Sequence, residues 1–235
     1  MAFTFPLLGG FDGVNIFDRD KSKFTDSAVR REMQEEAQGL VNGPTVAAIR
    51  KAVDVMEERS DVDIQLLAVP GIRHDAVTDF ALESVERRFD ALFLMDVEEV
   101  DGNNTVITGS AQKVNVGNTA TRLVGRNINS SFGAAYAPDV FINDPSTNTR
   151  VQVPPTVVAL GAMSLNDSLA APFSAPAGPR RGLLSSVREL KTKLLRANLD
   201  TLYSSRINPI TALGGAQGIQ IYGQKTLLAT QSSLD

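Results

Sequence analysis

Two apolar runs separated by an amphipathic segment constrain this chain most. Residues 64–69 (IQLLAV) and 91–97 (ALFLMDV) are nearly continuous in apolar side chains, as expected of strands covered on both faces. Between them, residues 75–88 place Val77, Phe80, Ala81, Ser84 and Val85 on one helical face. Pro70-Gly71 breaks the first run. Strand, helix and strand with short joints make a βαβ unit, whose two strands should lie parallel with a right-handed crossover.

The flanking chain builds an α/β fold around that unit, a mixed sheet with flanking helices. Residues 45–59 form an amphipathic helix with Val46, Ile49, Val53 and Met56 inward. Residues 26–38 give a thinner, surface-lying helix capped by Thr25 or Asp26. A further helix is expected around Leu123, Val124 and Ile128. Residues 134–143 read as a third core strand, with Pro138 marking a bend or an edge. Asp144-Pro145-Ser146-Thr147-Asn148 turns the chain back into a strand at residues 151–153. Pro154 and Pro155 stop that ladder, since proline has no N–H to donate, and open a small-residue helix over 156–165. In that helix Ala159, Gly161 and Ala162 would let another backbone approach, and Asn166-Asp167 would end it. Residues 170–182, with Pro172, Pro176 and Pro179, form a stiff loop. Residues 183–195 fit either a helix or the start of a strand, and residues 197–205 a short helix. We expect an N-terminal segment over 1–60 and one continuous core over 61–235.

Composition narrows the function. The chain has 235 residues, 43% hydrophobic and 21% charged, with a net charge of −4. No basic excess points to nucleic acid, no apolar run approaches a membrane span, and no secretory leader is visible. Cysteine is absent, which removes disulfides, thiolate catalysis and cysteine-held metals together.

One constellation has the makings of an enzyme. The carboxyl ends of parallel strands, where α/β enzymes place their chemistry, carry Arg73, His74, Asp75, Asp96, Glu98, Glu99 and Asp101. His74 is the only histidine, and no Gly-x-Ser-x-Gly elbow is present. A metal-dependent hydrolase would use His74, Asp96 and Asp101. The plainer reading, which we prefer, is a helix start capped by Asp75 beside a solvated acidic loop. Gly9-Gly10-Phe11-Asp12-Gly13 would cradle phosphate only with a helix directly after it, and Val14-Asn15-Ile16-Phe17 comes there instead. Asp12, Asp18 and Asp20 lack the spacing of a calcium loop. A ligand-binding module built on Gly9-Gly10 or Gly214-Gly215 is a further alternative.

Several motifs, in order, resemble those of contractile-tail sheath proteins. They are Gly9-Gly10-Phe11-Asp12-Gly13; Val69-Pro70-Gly71; Asp96 ending the second strand; Tyr136 and Pro138; Asp144-Pro145; and Val153-Pro154-Pro155. Asn166-Asp167, Ala175-Pro176-Ala177-Gly178, Ile207-Asn208-Pro209-Ile210 and Gly223-Gln224-Lys225-Thr226-Leu227 complete the series. Phe173 and Ser174 stand where the family often has tryptophan and lysine, and Tyr222 stands for the usual tryptophan. The resemblance implies an extended segment over 183–195, against its periodicity. It also implies that the chain is the conserved middle of a longer protein whose terminal arms lie outside it.

The function implied by the resemblance is mechanical: a non-enzymatic subunit without cofactor or metal. It would polymerise helically with its own copies through terminal arms, around a tail tube protein, between baseplate and tail terminator. It would contract to drive the tube through the host envelope during genome ejection. It would contact neither nucleic acid nor membrane, and would reside in the virion after assembly in the host cytoplasm. A sheath of a related secretion or injection machine is the near alternative.

Overall fold

The computed structural model describes residues 24–34, 39–108, 112–169, 171, 174–213 and 218–230. The Gly9–Gly13 motif, Phe173 and Gly214-Gly215 lie outside them.

The first helices of the described residues are α1 (Asp26–Glu32) and α2 (Pro44–Glu57). Strand β1 (Leu66–Ala68), helix α3 (Asp75–Arg88) and strand β2 (Leu92–Asp96) form the expected βαβ unit, and β1 and β2 are parallel. Next come α4 (Val116–Gly125), β3 (Gly133–Ala137), β4 (Val140–Asn143) and β5 (Arg150–Val153). The chain continues through α5 (Pro155–Leu169), the single turn α6 (Gly178–Arg181) and β6 (Val187–Leu190). It ends with α7 (Arg196–Ser204), β7 (Ile207–Ala212) and β8 (Ile219–Ile221). The large sheet has the order β1-β2-β3-β7-β8, parallel except for β8, and the small antiparallel sheet the order β5-β4-β6.

Strand alternation sends side chains to both faces of the large sheet. On one face Phe93, Met95, Ala135 and Ile207 pack against Ala81 and Val85 of α3, Leu123 of α4 and Leu202 of α7. On the other, Leu94, Ala134, Tyr136, Ile210 and Ile221 meet Val158, Ala159 and Ala162 of α5 and Val140 and Val187 of the small sheet. Each large side chain fully buried in this way contributes about 1.5–3 kcal/mol. A third cluster, Val29, Val46, Ile72 and Val77, ties α1 and α2 to the start of α3.

Several expectations are corrected. Residues 64–69 do not form a strand covered on both faces: β1 spans three half-buried residues at the sheet edge. Residues 134–143 are not one strand. The ladder stops at Pro138, which cannot donate, and the chain leaves β3 for β4 in the other sheet; the Ala137–Pro138 peptide is cis. Asn166-Asp167 do not end α5. The Asn166 side chain donates to the Ser174 carbonyl (2.6 Å) instead of competing for helix backbone, and the helix runs on to Leu169. Ala159 and Ala162 face the sheet, but Gly161 faces away from every neighbour. Helix α1 is not superficial, since Val29 is fully buried, and Met56 of α2 points outward. Residues 187–190 are strand, so the extended conformation implied by the resemblance prevails over the helical spacing. The cap position of α3 is His74, and the Ala76 N–H donates to Asp75 Oδ1 at 2.9 Å with His74 Nδ1 3.2 Å away, so the Asp75 carboxylate closes the helix start from the first helical residue.

Candidate functional site

The carboxyl edge of the large sheet is where distant sequence motifs meet. Strand β1 ends in Pro70-Gly71, and Gly71 takes φ +80°, a left-handed conformation that glycine adopts without steric cost. That turn aims the Gly71 N–H at Asp96 Oδ2, 2.8 Å away at the end of β2. Pro154-Pro155 starts α5 above the same point. There Thr156 N (3.1 Å) and Thr156 Oγ1 (3.0 Å) donate to the Asp96 carboxylate. Asp96 therefore caps, from sixty residues away in sequence, a helix N-terminus whose orphan donors favour a negative charge. The carboxylate is 1% exposed, and burial pushes its pKa up to about 6 against the pull of these donors and of Arg73. The expectation of a solvated acidic loop is wrong here, because α5 closes over the strand ends.

Beside this knot lies a buried ionic cluster. Arg73 pairs with Asp139, and its other nitrogen lies 3.6 Å from Glu99. Lys191 reaches Glu99 at 2.6 Å and Asp139 at 3.4 Å, and Gln152 donates to Asp139 at 2.6 Å. Burial would lower the Arg73 pKa, but the Asp139 and Glu99 carboxylates outweigh it and hold it raised. Backbone N–H groups of Arg73 and His74 donate to Asp26 of α1, at 2.8 and 3.1 Å. The cluster thus ties together α1, the β1–α3 turn, the ends of β2 and β3, and all three strands or strand ends of the small sheet. Asp139, Gln152 and Lys191 went unremarked in the sequence. The one available signal was Asp139 after Pro138 at a strand end. Glu32, also unforeseen, is 1% exposed and accepts from Thr45 N and Val46 N at 2.9–3.0 Å, capping α2 from α1.

The remaining motif residues form separate knots. Tyr136 is fully buried and donates to Gln224 Oε1 at 2.8 Å, and burial raises its pKa. Asn208 holds Lys225 by two bonds, Nδ2 to its carbonyl (2.8 Å) and Oδ1 from its N–H (2.7 Å). The Lys225 ammonium sits 3.8 Å from the centre of the Tyr203 ring. A side chain at Gly223 would collide with that ring. Pro209 lies in β7 opposite Ala137. Leu227, 1% exposed, donates its N–H to Gly133 O at 2.9 Å, and Thr226 precedes it. Asp144 accepts from Ser146 and Thr147 in the β4–β5 turn, which holds its pKa down at about 2, with Pro145 inside the turn. Asn166 anchors the loop carrying Ala175 and Pro176, while Asp167 is exposed; Gly178 takes φ +77°.

The enzyme constellation is not assembled as a catalytic centre. His74 Nδ1 lies 2.8 Å from Asp75 Oδ1 at the start of α3, and as a donor there it lowers the Asp75 pKa. Asp96 is enclosed by its three donors, and Asp101 Oδ1 accepts from Asn103 N and Thr105 N in its own turn, both at 2.9 Å. Among the described residues no three His, Asp or Glu side chains are grouped to hold a metal ion, and no helix is long and apolar enough to cross a membrane.

No family model matches the chain. It is similar to the tail sheath protein of Enterobacteria phage T4, 24% identical over 215 residues, or 84% of this chain and 31% of the relative. It is also similar to the tail sheath protein of Vibrio phage KVP40 (isolate Vibrio parahaemolyticus/Japan/Matsuzaki/1991), 37% identical over 75 residues, or 32% of this chain and 11% of the relative. The chain thus spans under a third of the length of these relatives. Among solved structures, a chain of the anti-feeding prophage baseplate, determined by cryo-electron microscopy with 6-fold symmetry, matches with a TM-score of 0.54 at 17% identity. That match covers 80% of this chain and 43% of the other, and it shows likeness of fold. The resemblance to contractile tail sheath proteins drawn from the motifs therefore holds.

Proposed function

We propose that this chain is the core of a structural subunit that stacks helically around a tail tube and contracts to drive the tube through a host envelope. The observation that carries the reading is similarity to a phage tail sheath protein across 84% of the chain. The placement of the matching motifs supports it: Pro70-Gly71 and Pro154-Pro155 meet around the buried Asp96 carboxylate. Residues that recur for rigidity rather than chemistry belong at such joints. A subunit that transmits force must not deform, and packed cores with satisfied polar networks are stiff.

In this reading terminal arms add strands to the sheets of neighbouring copies, and head-to-tail contacts generate an open helix. Two sets of contacts, extended and contracted, are both stable, and a baseplate trigger releases the second. The energy is stored at assembly, so no cofactor is needed. The partners are identical copies, a tube protein, a baseplate and a terminator, and the setting is a virion assembled in a host cytoplasm. Residues 1–60 act as an N-terminal packing segment on the core of 61–235. The full-length protein, expressed alone, is expected to form striated tubes under the electron microscope; persistent monomers at high concentration would refute the reading.

A second reading is a sheath of an injection machine other than a phage, favoured by the fold likeness to a chain of the anti-feeding prophage baseplate. Particles purified from the producing cell would carry a filled head on the first reading and none on the second.

A further inference from the structure

Helix α5 has one face against the core and one face open. Val158, Ala159 and Ala162 meet the large sheet. Val157, Gly161, Leu165 and Leu169 recur every four residues and so line up on the opposite side. They are exposed, Leu165 at 52% and Leu169 at 77%. Ser164 and Ser168 share that side, and Asp167 near the end is the one charged residue of the helix. A surface helix turns a charged face to water, and a helix without one belongs under something else. Gly161 is a second sign. Glycine is a poor helix former, and a Cβ placed there would meet nothing within 4 Å. It leaves a notch between Val157 and Leu165 where another backbone can lie close.

Residues 1–23 lie outside the described ones, and their sequence supplies an occupant. Residues 3–17 hold four phenylalanines with Leu7, Leu8, Val14 and Ile16, against the single charge of Asp12. A run this apolar gains by leaving water, and the open face of α5 is apolar too. The point of attachment brings the two together. The described chain begins at Phe24, and Asp26 accepts from the N–H groups of Arg73 and His74. Asp26, Gly71 and Gln152 line one cavity of about 250 Å³. A Cβ on Gly71 would stand 3.5 Å from the ring of Pro154, the residue before α5. The N-terminal segment is therefore tethered beside the start of α5. Fully extended, a segment of this length reaches roughly 75 Å, whereas α5 is about 22 Å long. Tethering presents it to the face at an effective concentration on the order of millimolar, which favours it over a second copy in dilute solution.

We infer that residues 3–17 pack on the open face of α5 in the same copy, over Val157, Gly161 and Leu165. This docking gives the proposed packing of residues 1–60 on the core a specific place. It rests on that packing and not on assembly into a sheath, so it is read on unassembled protein.

Hydrogen–deuterium exchange read by mass spectrometry tests it on the full-length protein, held below the concentration at which it assembles. In the wild type the amides of residues 3–17 should exchange about tenfold or more slowly than in a free peptide of the same sequence. Leu165→Glu with Leu169→Glu puts charge on the face and should bring them to the peptide's rate. Both positions are exposed, so the core should keep its fold, which unchanged protection of β2 and β3 verifies. The slow exchange should not vary with protein concentration. Peptide-like exchange in the wild type, or protection of residues 3–17 that survives both substitutions, overturns the docking. Protection that appears only as the concentration rises overturns it too, because a second copy then holds the segment. Each of these outcomes leaves the sheath reading standing, since tube formation tests that separately.

Discussion

Asp96 offers a direct test of the knot at the carboxyl edge, by the substitution Asp96→Asn. The carboxylate accepts three bonds divided between its two oxygens: Thr156 N on Oδ1, and Gly71 N with Thr156 Oγ1 on Oδ2. An amide keeps one acceptor oxygen and puts an N–H donor where the other was. At least one buried backbone N–H then loses its acceptor, a loss of about 1–3 kcal/mol. The substitution also removes an ionised group that burial disfavours, and that gain depends on pH. The folded pKa, about 6, lies above the ordinary 3.8. The folded state therefore binds the proton more tightly than the unfolded chain. The stability this contributes is fully present below pH 3.8 and is lost as pH rises through 6. Between pH 7.5 and pH 5 the wild type should gain about 1 kcal/mol from this group, and Asp96→Asn none of it. Other groups titrate alike in both proteins and cancel in the difference. Urea denaturation of both proteins at half-unit pH steps measures it. The destabilisation by Asp96→Asn should be about 1 kcal/mol larger at pH 5 than at pH 7.5. Parallel curves, or a penalty that shrinks on acidification, would show that the carboxylate is not enclosed as described.

Three further substitutions probe the other joints. Asp139→Ala leaves Arg73 and Lys191 sharing Glu99 alone, and breaking a buried ion pair in this way should cost about 3–5 kcal/mol in urea denaturation; a loss under about 1 kcal/mol would mean the cluster is solvated. Gly223→Ala drives a methyl group into the Tyr203 ring and should cost about 1–3 kcal/mol, with the Tyr203→Ala background removing most of the penalty; equal penalties in both backgrounds would refute the contact. Tyr136→Phe deletes one buried hydroxyl bonded to Gln224 and should cost about 1 kcal/mol, whereas an unchanged midpoint would mean the bond contributes nothing.

Local pattern was enough for α3, which spans residues 75–88 as its periodicity requires, and for the parallel pairing of β1 with β2. It failed where a distant element decides the outcome. Asp96 looks solvent-facing at a strand end, and it is buried only because the N-terminus of α5 lands on it. Residues 134–143 read as one apolar strand, but Pro138 divides them between two sheets that only tertiary packing distinguishes. Asn166 and Asp167 carry helix-ending chemistry, yet the Asn166 Nδ2 turns to the Ser174 carbonyl instead of the helix backbone and the turns continue. The extended course of residues 187–190 opposes its own 3.6-residue spacing, because pairing with β4 outweighs helix propensity there. The ionic cluster was hidden for the same reason: Arg73, Asp139, Gln152 and Lys191 come from four separated stretches, and no spacing rule joins them. Motif resemblance reached further than periodicity because the matching residues mark these joints.

If the chain works by shape, it is a stiff unit passed unchanged between two arrangements. Helical reconstruction by cryo-electron microscopy of the full-length assembly, before and after contraction, measures this directly. Both sheets, with Asp96 still held between Gly71 and Thr156, should fit the two maps as one rigid body, with only the contacts between copies changed. Density in which the five-stranded and three-stranded sheets shift against each other within a subunit would contradict it.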